Sequence, residues 1–235
     1  MGTCNFIMLG LLVVVLEWLC QRIGNEIQVS KVIGAYKLIE EPYCHICSQP
    51  DVTTKNCSMH KHLYGFDRIY VMGKYLKTED DLLSAHILKL KEDKQYAEPL
   101  GKALALTVID FYPELLRADV LVPVPLHIEE FSKRGFNQSL ELAKIVGDIL
   151  HIEVVFAIKK LKPVNMRELG WKKRREVVKG LYQIIGYQKN KISSKHVVLI
   201  DDVVTSGFTV SECSEVLKQA GARRVDVLAL ARTAL

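Results

Sequence analysis

Apolar and polar residues follow two different patterns in the second half of the chain. Short apolar runs predict strands at 120–124, around 154–158, at 197–200 and in the VDVLALA segment that begins at Val225. Between these runs, apolar residues recur at helical spacing in FNQSLELAKIVGDIL and after the turn that contains Gly207. Apolar strands that alternate with helices predict a parallel sheet covered on both faces. We therefore expect an α/β fold.

The pattern before Asp119 predicts helices more than strands. FDRIYVMGKYL alternates enough for a strand or a hairpin. Residues 79–92 predict an amphipathic helix with acids in its first turn and lysines near its end, which suits the helix dipole. Pro99 is expected in the first turn of the next helix.

The segment from Phe6 to Leu19 is strongly apolar. It is shorter than the about 20 residues that cross a membrane, Glu17 interrupts it, and no basic residue precedes it. We favour a helix buried in the protein or at an interface, and a cytoplasmic location. A membrane anchor is the weaker alternative.

Length and composition indicate one α/β core with a smaller addition. The chain has 235 residues, of which 49% are hydrophobic and 25% charged, which excludes a largely disordered protein. Its net charge of +5 suits an anionic ligand such as a phosphate ester or a nucleic acid. The basic segment 159–180 lacks apolar periodicity, and we expect a long loop that is functional or mobile.

Four residues near position 50 have the spacing of a metal site. Cys44, Cys47, Cys57 and His60 form a C-x2-C-x9-C-x2-H pattern, in which each pair can bind one edge of a tetrahedral Zn²⁺. The alternative is a set of reduced cysteines with surface histidines. The other three cysteines are scattered, which differs from a disulfide-stapled secreted domain.

The stretch VVLIDDVVTSGFT (197–209) combines a buried strand, two carboxylates and a polar turn. The turn precedes a helix, whose unpaired N–H groups and dipole favour phosphate. Asp201 and Asp202 can accept hydrogen bonds from the vicinal hydroxyls of a sugar, or face Mg²⁺ through water. The combination predicts a ribose 5-phosphate site, and the alternative is a polar helix cap. The motifs of P-loop and dinucleotide-binding proteins are absent from the sequence.

VVLIDDVVTSGFT resembles the motif with which type I phosphoribosyltransferases bind phosphoribosyl pyrophosphate (PRPP). The wider pattern of LVPVPLH, KRGFNQSLELAK, a basic loop and a preceding cysteine knot resembles the ComF family over about residues 42–233. The resemblance implies a type I phosphoribosyltransferase fold, with a parallel sheet flanked by helices and a small N-terminal zinc-ribbon-like module. We divide the chain into an apolar helix and linker (1–40), the zinc-ribbon-like knot (41–64) and the phosphoribosyltransferase-like domain (65–235).

The resemblance also implies roles for single residues. Asp201 and Asp202 would bind the ribose 2- and 3-hydroxyls, directly or through Mg²⁺, and Arg174 in the segment 162–175 would help a loop to close over the pyrophosphate. Met166 and Val177 depart from the residues expected in and after that loop. The residues implied to bind the phosphates of PRPP are Lys133 and Arg134 for the pyrophosphate, and Val203, Val204, Thr205, Ser206, Gly207, Phe208 and Thr209 around the 5-phosphate. Phe208 replaces a small residue, and we expect it to narrow the phosphate loop or to cover the sugar.

Two functions are compatible with these residues. The first is Mg²⁺-dependent transfer of a ribose 5-phosphate group from PRPP, by a phosphoribosyltransferase of the ComF kind. The second is a non-catalytic PRPP- or nucleotide-binding accessory protein for uptake or handling of single-stranded DNA, for which the knot and the basic loop would contact the nucleic-acid backbone. The sequence does not indicate the acceptor base, and it leaves open whether the chain forms a homo-oligomer.

Overall fold

The structure is a computed structural model that describes residues 36–76, 81–164 and 170–234. Strands in these residues are β1 (Arg68–Tyr75), β2 (Val120–Pro123), β3 (Glu153–Val154), β4 (Ile158–Lys160), β5 (Tyr182–Ile184), β6 (His196–Val204) and β7 (Arg224–Thr233). Five of them form a parallel sheet in the order β1-β7-β6-β2-β3, and β4 pairs with β5 in an antiparallel hairpin. The predicted α/β fold with a parallel core is confirmed.

The helices are α1 (Leu82–Leu90), α2 (Ala97–Phe111), α3 (Ile128–Arg134), α4 (Gln138–Leu150), α5 (Trp171–Val178), α6 (Lys189–Ile192) and α7 (Phe208–Gln219). Short 3-10 turns occur at Met59–His62, Lys94–Tyr96, Pro113–Arg117 and Gly186–Gln188. Several helix starts are fixed by polar side chains. Asp81 accepts a hydrogen bond from the N–H of Ser84, and Asn137 accepts one from the N–H of Ser139.

The central strands are buried on both faces, as their uninterrupted apolar runs predict. In β6, Val197 and Leu199 belong to one hydrophobic core, whereas Val198 and Ile200 belong to the other. Helices α2 and α4 cover the second core, and α7 covers the first together with the cysteines of the knot. The knot therefore packs into the same core as the sheet.

Strand β6 is longer than the predicted 197–200. It continues to Val204 because Asp201, Val203 and Val204 keep pairing with Ala229, Ala231 and Arg232 of β7. The two aspartates thus lie in the part of the strand that precedes the turn and are held by its ladder. This pairing fixes their backbone positions at the carboxyl edge of the sheet.

Two predictions of local structure were wrong. The single strand around 154–158 is divided, because β3 pairs with β2 while β4 pairs with β5. Part of the expected loop 159–180 is helical, as α5 shows, and its last residue, Val178, is buried in the core beside α7. Val178 gives this helix a buried apolar contact although its sequence has no apolar periodicity.

The apolar segment Phe6–Leu19 lies outside the described residues, as does Met166. Within residues 36–76, 81–164 and 170–234, the longest apolar helices fall short of what a membrane crossing requires.

Candidate functional site

A cavity of about 590 Å³ opens at the carboxyl edge of the sheet. The ends of three parallel strands contribute Tyr75 from β1, Val124 after β2 and Asp201 from β6. This is where open α/β sheets bind ligands. The charged side chains that line the cavity are Lys91, Glu130, Lys133, Arg134, Lys160, Asp201 and Asp202.

A larger hollow of about 730 Å³ between α2 and α4 has a different character. Two of its acids are already paired with neighbouring lysines, Glu98 with Lys102 and Glu141 with Lys144. Volume alone therefore does not identify the functional site, whereas the convergence of unlike charges at the strand ends does.

The aspartate pair lies on the wall of the smaller cavity. Asp201 is buried, and its Oδ1 accepts hydrogen bonds from Ser139 Oγ at 3.1 Å and from the N–H of Asp202 at 3.0 Å. Burial and then the charge of Asp202 raise the pKa of Asp201 to about 8. Lys91 Nζ lies 4.0 Å from Asp202 Oδ2. The raised pKa of Asp201 shows that its buried carboxylate is poorly stabilised by the protein, so the pair would bind a cation or sugar hydroxyls favourably.

The turn after β6 places the start of α7 beside the aspartates. Gly207 has a φ of +82°, which a residue with a side chain rarely adopts, and its carbonyl accepts from the N–H of Ser211 at 2.9 Å. A Cβ on Gly207 would also lie 2.9 Å from Leu63 Cδ1. Thr205 and Thr209 line the cavity. Two hydroxyls and the N–H groups of the first turn of a helix form a suitable site for phosphate.

The structure brings together most of the residues that the sequence implies for PRPP binding. Those that line the cavity are Lys133, Arg134, Asp201, Asp202, Val203, Thr205 and Thr209. Val204, Ser206, Gly207 and Phe208 are buried behind the cavity wall. The expectation that Phe208 covers the sugar is wrong, because its ring is 1% exposed and packs in the core with the knot.

The cations reach the cavity from several elements. Lys133 and Arg134 end α3, and Arg134 donates to Gln138 Oε1 at 2.9 Å. Lys160 comes from β4, and its Nζ donates to both carboxylate oxygens of Glu130, at 2.9 and 2.8 Å. Sequence reasoning missed Lys91, Lys160 and Glu130, because no local motif marks them. Only the fold brings them to the strand ends.

The four residues of the knot lie close together. The ligand atoms of Cys44, Cys57 and His60 are all within 4.8 Å of one another, and this group could hold a metal ion. Cys44 Sγ lies 3.3 Å from His60 Nδ1, and Cys47 Sγ lies 3.7 Å from Cys57 Sγ. Burial alone would raise the pKa of Cys44, but the N–H groups of Cys47 and Ile46 and the His60 side chain outweigh it and bring that pKa to about 7.

Comparisons with known proteins agree with this geometry. A model of the phosphoribosyl transferase domain matches residues 137–234, which contain the aspartate pair and the turn. Competence protein F of Haemophilus influenzae is 29% identical over 208 residues, covering 85% of this chain and 89% of that protein. DNA utilization protein YhgH of Escherichia coli is 28% identical over 210 residues, or 81% and 90% of the two chains. Competence protein ComFC of Bacillus subtilis is 23% identical over 190 residues, or 79% and 75%.

The chain contains a region that matches the phosphoribosyl transferase domain, and it is similar to competence proteins F and ComFC along most of its length. The matched residues begin at the cap of α4 and end with β7. They therefore include the aspartates, the phosphate turn and the strand that supports them. The cavity cations on α1 and α3 precede the matched residues.

Arg174 is the predicted catalytic residue that the structure does not bring to the cavity. It lies on α5, where its N–H donates to the carbonyl of Gly170 at 3.0 Å, and α5 packs beside α7. Val164 lines the cavity, and residues 165–169 between it and α5 lie outside the described part of the chain. The role of Arg174 in loop closure stays a prediction.

Arg232 of β7 is a functional candidate that the sequence did not suggest. Its side chain is fully buried beside the knot, and Nη2 donates to Gln49 Oε1 at 3.4 Å. Among the described residues, Nε and Nη1 have no hydrogen-bond partner. Burial lowers the pKa of Arg232, whereas negative charge on Cys47, Cys57 and Cys44 raises it. In the sequence this arginine is only the end of an apolar strand.

Proposed function

We propose that this chain binds PRPP in the cavity at the carboxyl edge of the sheet and transfers its ribose 5-phosphate group. One observation carries the proposal. The same cavity wall holds the pair of Asp201 and Asp202 and the first turn of α7, and basic side chains from other elements also line the cavity. A ribose with a phosphate at one end and a pyrophosphate at the other matches this order of groups.

Different residues of the cavity would bind different parts of PRPP. Asp201 and Asp202 would accept hydrogen bonds from the ring hydroxyls. Thr205, Thr209 and the N–H groups that begin α7 would bind the 5-phosphate. The pyrophosphate would then lie toward the cations that end α3.

The aspartates also fit Mg²⁺, because they offer carboxylate oxygens on the wall of an open cavity. When bound, Mg²⁺ would neutralise part of the charge on the leaving pyrophosphate. The side chains of Lys133 and Arg134 would add to that stabilisation.

Transfer breaks the bond between the anomeric carbon and a pyrophosphate oxygen as a nucleophile approaches. Positive charge then builds on the ring, and the carboxylate of Asp202 would stabilise it electrostatically. Lys91 Nζ lies 4.0 Å from Asp202 Oδ2 and places a positive charge beside one oxygen of this carboxylate. Water exclusion would strengthen these interactions once the ligand fills the cavity.

We propose that Cys44, Cys47, Cys57 and His60 bind a structural Zn²⁺. The Cys47–Cys57 Sγ separation of 3.7 Å matches the edge of a tetrahedron with Zn–S bonds of about 2.3 Å. The buried cysteines pack against the sheet, so the ion would stabilise the fold around the knot. Purified protein is expected to contain about one Zn²⁺ per chain, and Cys44→Ser or Cys57→Ser is expected to lose it.

Calorimetric titration with PRPP, with and without Mg²⁺, tests the proposed function. We expect saturable, Mg²⁺-dependent binding that weakens by about 100-fold in Asp202→Asn, because charged hydrogen bonds to the hydroxyls are lost. Asp119→Asn is the matched control, since Asp119 accepts from the N–H of His196 at the opposite edge of the sheet. Absence of binding to the wild type, or an equal loss in both variants, would contradict the proposal. Release of pyrophosphate with a nucleobase then tests transfer.

The names of the relatives favour a second candidate function. One is a DNA utilization protein and two are competence proteins. By analogy, this chain would bind single-stranded DNA as an accessory protein that holds PRPP or a nucleotide without turnover. The exposed cations Lys173 and Arg175 on α5 are suitable contacts for phosphates.

Salt titration of oligonucleotide binding distinguishes this function from transfer. In Lys173→Gln/Arg175→Gln, the slope of affinity against salt should fall by about 0.7 for each phosphate of a single strand that the variant no longer neutralises. Lys189→Gln/Lys191→Gln on α6 offers a control pair of exposed lysines elsewhere on the surface. DNA binding with PRPP binding but without pyrophosphate release would favour the accessory function. Equal slopes in all variants would exclude α5 as the DNA-binding surface.

A further inference from the structure

Arg232 lies between the knot and the phosphate turn. On one side its guanidinium contacts Gln49, which follows the first two cysteines of the knot. On the other side Nη1 is 3.3 Å from the position that a Cβ on Gly207 would occupy. The buried side chain of Arg232 therefore lies next to both the proposed Zn²⁺ site and the proposed phosphate site.

The knot is fixed to the sheet by hydrogen bonds as well as by packing. Ser48 Oγ donates to the carbonyl of Ile69 at 2.7 Å, and the N–H of Ile69 donates to the carbonyl of Ile46 at 2.9 Å. Gln49 Nε2 also lies 3.5 Å from the carbonyl of Thr233, next to Arg232 in β7. A change within the knot would thus be transmitted to the end of β7.

The buried guanidinium of Arg232 lies beside the cysteines of the knot, which are the groups that can compensate its charge. Its Nε and Nη1 lack partners among the described residues, although the side chain is fully buried. Three thiolates and a neutral histidine around Zn²⁺ would carry a net charge of about −1. That charge would balance the guanidinium, and it would favour a single position of the side chain behind Gly207.

We propose that Arg232 is a positioning residue that couples Zn²⁺ binding by the knot to PRPP binding in the cavity. The proposal rests on the proposed function and on the proposed Zn²⁺ ligands. The guanidinium and Leu63 together pack behind Gly207, where a Cβ would already lie too close to Leu63. With Arg232 held by the charged Zn²⁺ centre, the turn keeps the backbone geometry that binds phosphate.

Coupling of this kind is reciprocal, which provides its test. In the full-length wild type, Zn²⁺ should tighten binding of Mg²⁺-PRPP by about tenfold, and Mg²⁺-PRPP should tighten Zn²⁺ binding by the same factor. Calorimetry on Zn²⁺-loaded and chelator-stripped protein gives the first value, and competition with a chelator gives the second. A wild type whose PRPP affinity does not depend on Zn²⁺ would overturn the proposal.

Variants of Arg232 distinguish a role in positioning the phosphate turn from a role in packing alone. Arg232→Met should lower Zn²⁺ affinity by about tenfold, and it should weaken PRPP binding even when the knot is saturated with Zn²⁺. Arg232→Lys keeps the charge and should recover most of the Zn²⁺ affinity. Arg68→Met is the control, because Arg68 on β1 also has a buried Nε without a partner among the described residues but lies over Tyr70 and near Glu114.

The outcomes also distinguish failure of this inference from failure of the proposed function. If PRPP binds to no form of the protein, the proposed function fails, while a difference in Zn²⁺ affinity between Arg232→Met and Arg232→Lys still supports the charge role of Arg232. Equal Zn²⁺ affinity in wild type and Arg232→Met would overturn that role. If Arg232→Met does not fold, the proposal is tested by the coupling of Zn²⁺ and PRPP binding in the wild type and by the Zn²⁺ affinity of Arg232→Lys.

Discussion

Two buried aspartates on neighbouring strands of the sheet have opposite surroundings. Asp226 near the start of β7 is fully buried, and its Oδ2 lies 2.8 Å from His196 Nε2 and 2.7 Å from Arg224 Nε. Asp201 near the end of β6 has Ser139 and a backbone N–H as its hydrogen-bond donors, and its closest charged neighbour in sequence is another acid. The first carboxylate is paired with basic side chains through Oδ2, whereas its Oδ1 has no partner among the described residues. The second carboxylate accepts hydrogen bonds from uncharged donors, so a bound ligand could supply the positive charge that it lacks. Such an arrangement is typical of binding sites.

The largest expected effect comes from removing the paired carboxylate. Asp226→Asn should lower the free energy of unfolding by about 3 kcal/mol or more, because it leaves a buried histidine and an arginine without their anion. PRPP affinity should stay unchanged, since Asp226 lies at the edge of the sheet away from the cavity. Urea unfolding and calorimetry on the same preparation measure the two quantities.

Asp67→Asn is a suitable control for that experiment. Asp67 also accepts from a basic side chain, Lys218 Nζ at 2.7 Å, but the pair is partly exposed and should contribute less than about 1 kcal/mol. If Asp226→Asn were as stable as the control while PRPP binding fell, the proposed division between a structural and a ligand-binding carboxylate would be wrong.

The same contrast explains how much could be predicted from the sequence. Asp201 belongs to a contiguous stretch in which an apolar run, two acids and a turn follow one another, so its strand and its position at a sheet edge were predictable. The cysteine spacing is equally local. By comparison, Lys91 and Lys160 meet Asp202 and Glu130 only through the order of strands, and Arg232 meets the knot only because β7 ends beside it. Such partners depend on packing between distant segments, which hydrophobic periodicity does not encode.

The helix α5 illustrates the opposite error. Its sequence, WKKRREVV, has almost no apolar face, and a loop was the natural interpretation. Among its described side chains, Val178 is buried in the core, and the helix packs beside α7. Tertiary packing therefore decides the structure where local propensity is weak.

The second-largest expected effect, after that of Asp226→Asn, is on the pH dependence of stability. The pKa of Asp201 in the folded protein, about 8, lies above that of an unfolded aspartate, so the folded state retains the proton between about pH 4 and pH 8. Stability should fall as the pH rises through this range, with a slope of at most about 1.4 kcal/mol per pH unit from this one proton. Asp201→Asn should remove that slope and gain about 2 kcal/mol of stability at pH 8.

Urea unfolding of ligand-free protein at several pH values measures the slope. Other ionisable side chains, among them Lys91, Asp202, His196 and Asp226, are present in both proteins, so the difference between wild type and variant is the informative quantity. Parallel curves for the two proteins would show that Asp201 behaves like an exposed carboxylate. The contrast with Asp226 would then lose its basis.

The smallest expected effect isolates a single hydrogen bond of Asp201. Ser139→Ala removes the hydroxyl that donates to Oδ1 at 3.1 Å, and it should destabilise the protein by about 1 kcal/mol at pH 5 and by about 2 kcal/mol at pH 9, because a hydrogen bond to a charged acceptor is stronger than one to a neutral acid. Ser214→Ala is the matched control, since Ser214 is as deeply buried but its Oγ has no partner among the described residues. Its effect should be the same at both pH values. If the effect of Ser139→Ala were also independent of pH, Asp201 would not change its protonation between pH 5 and pH 9, and the buried acid pair could not respond to an arriving cation by releasing a proton.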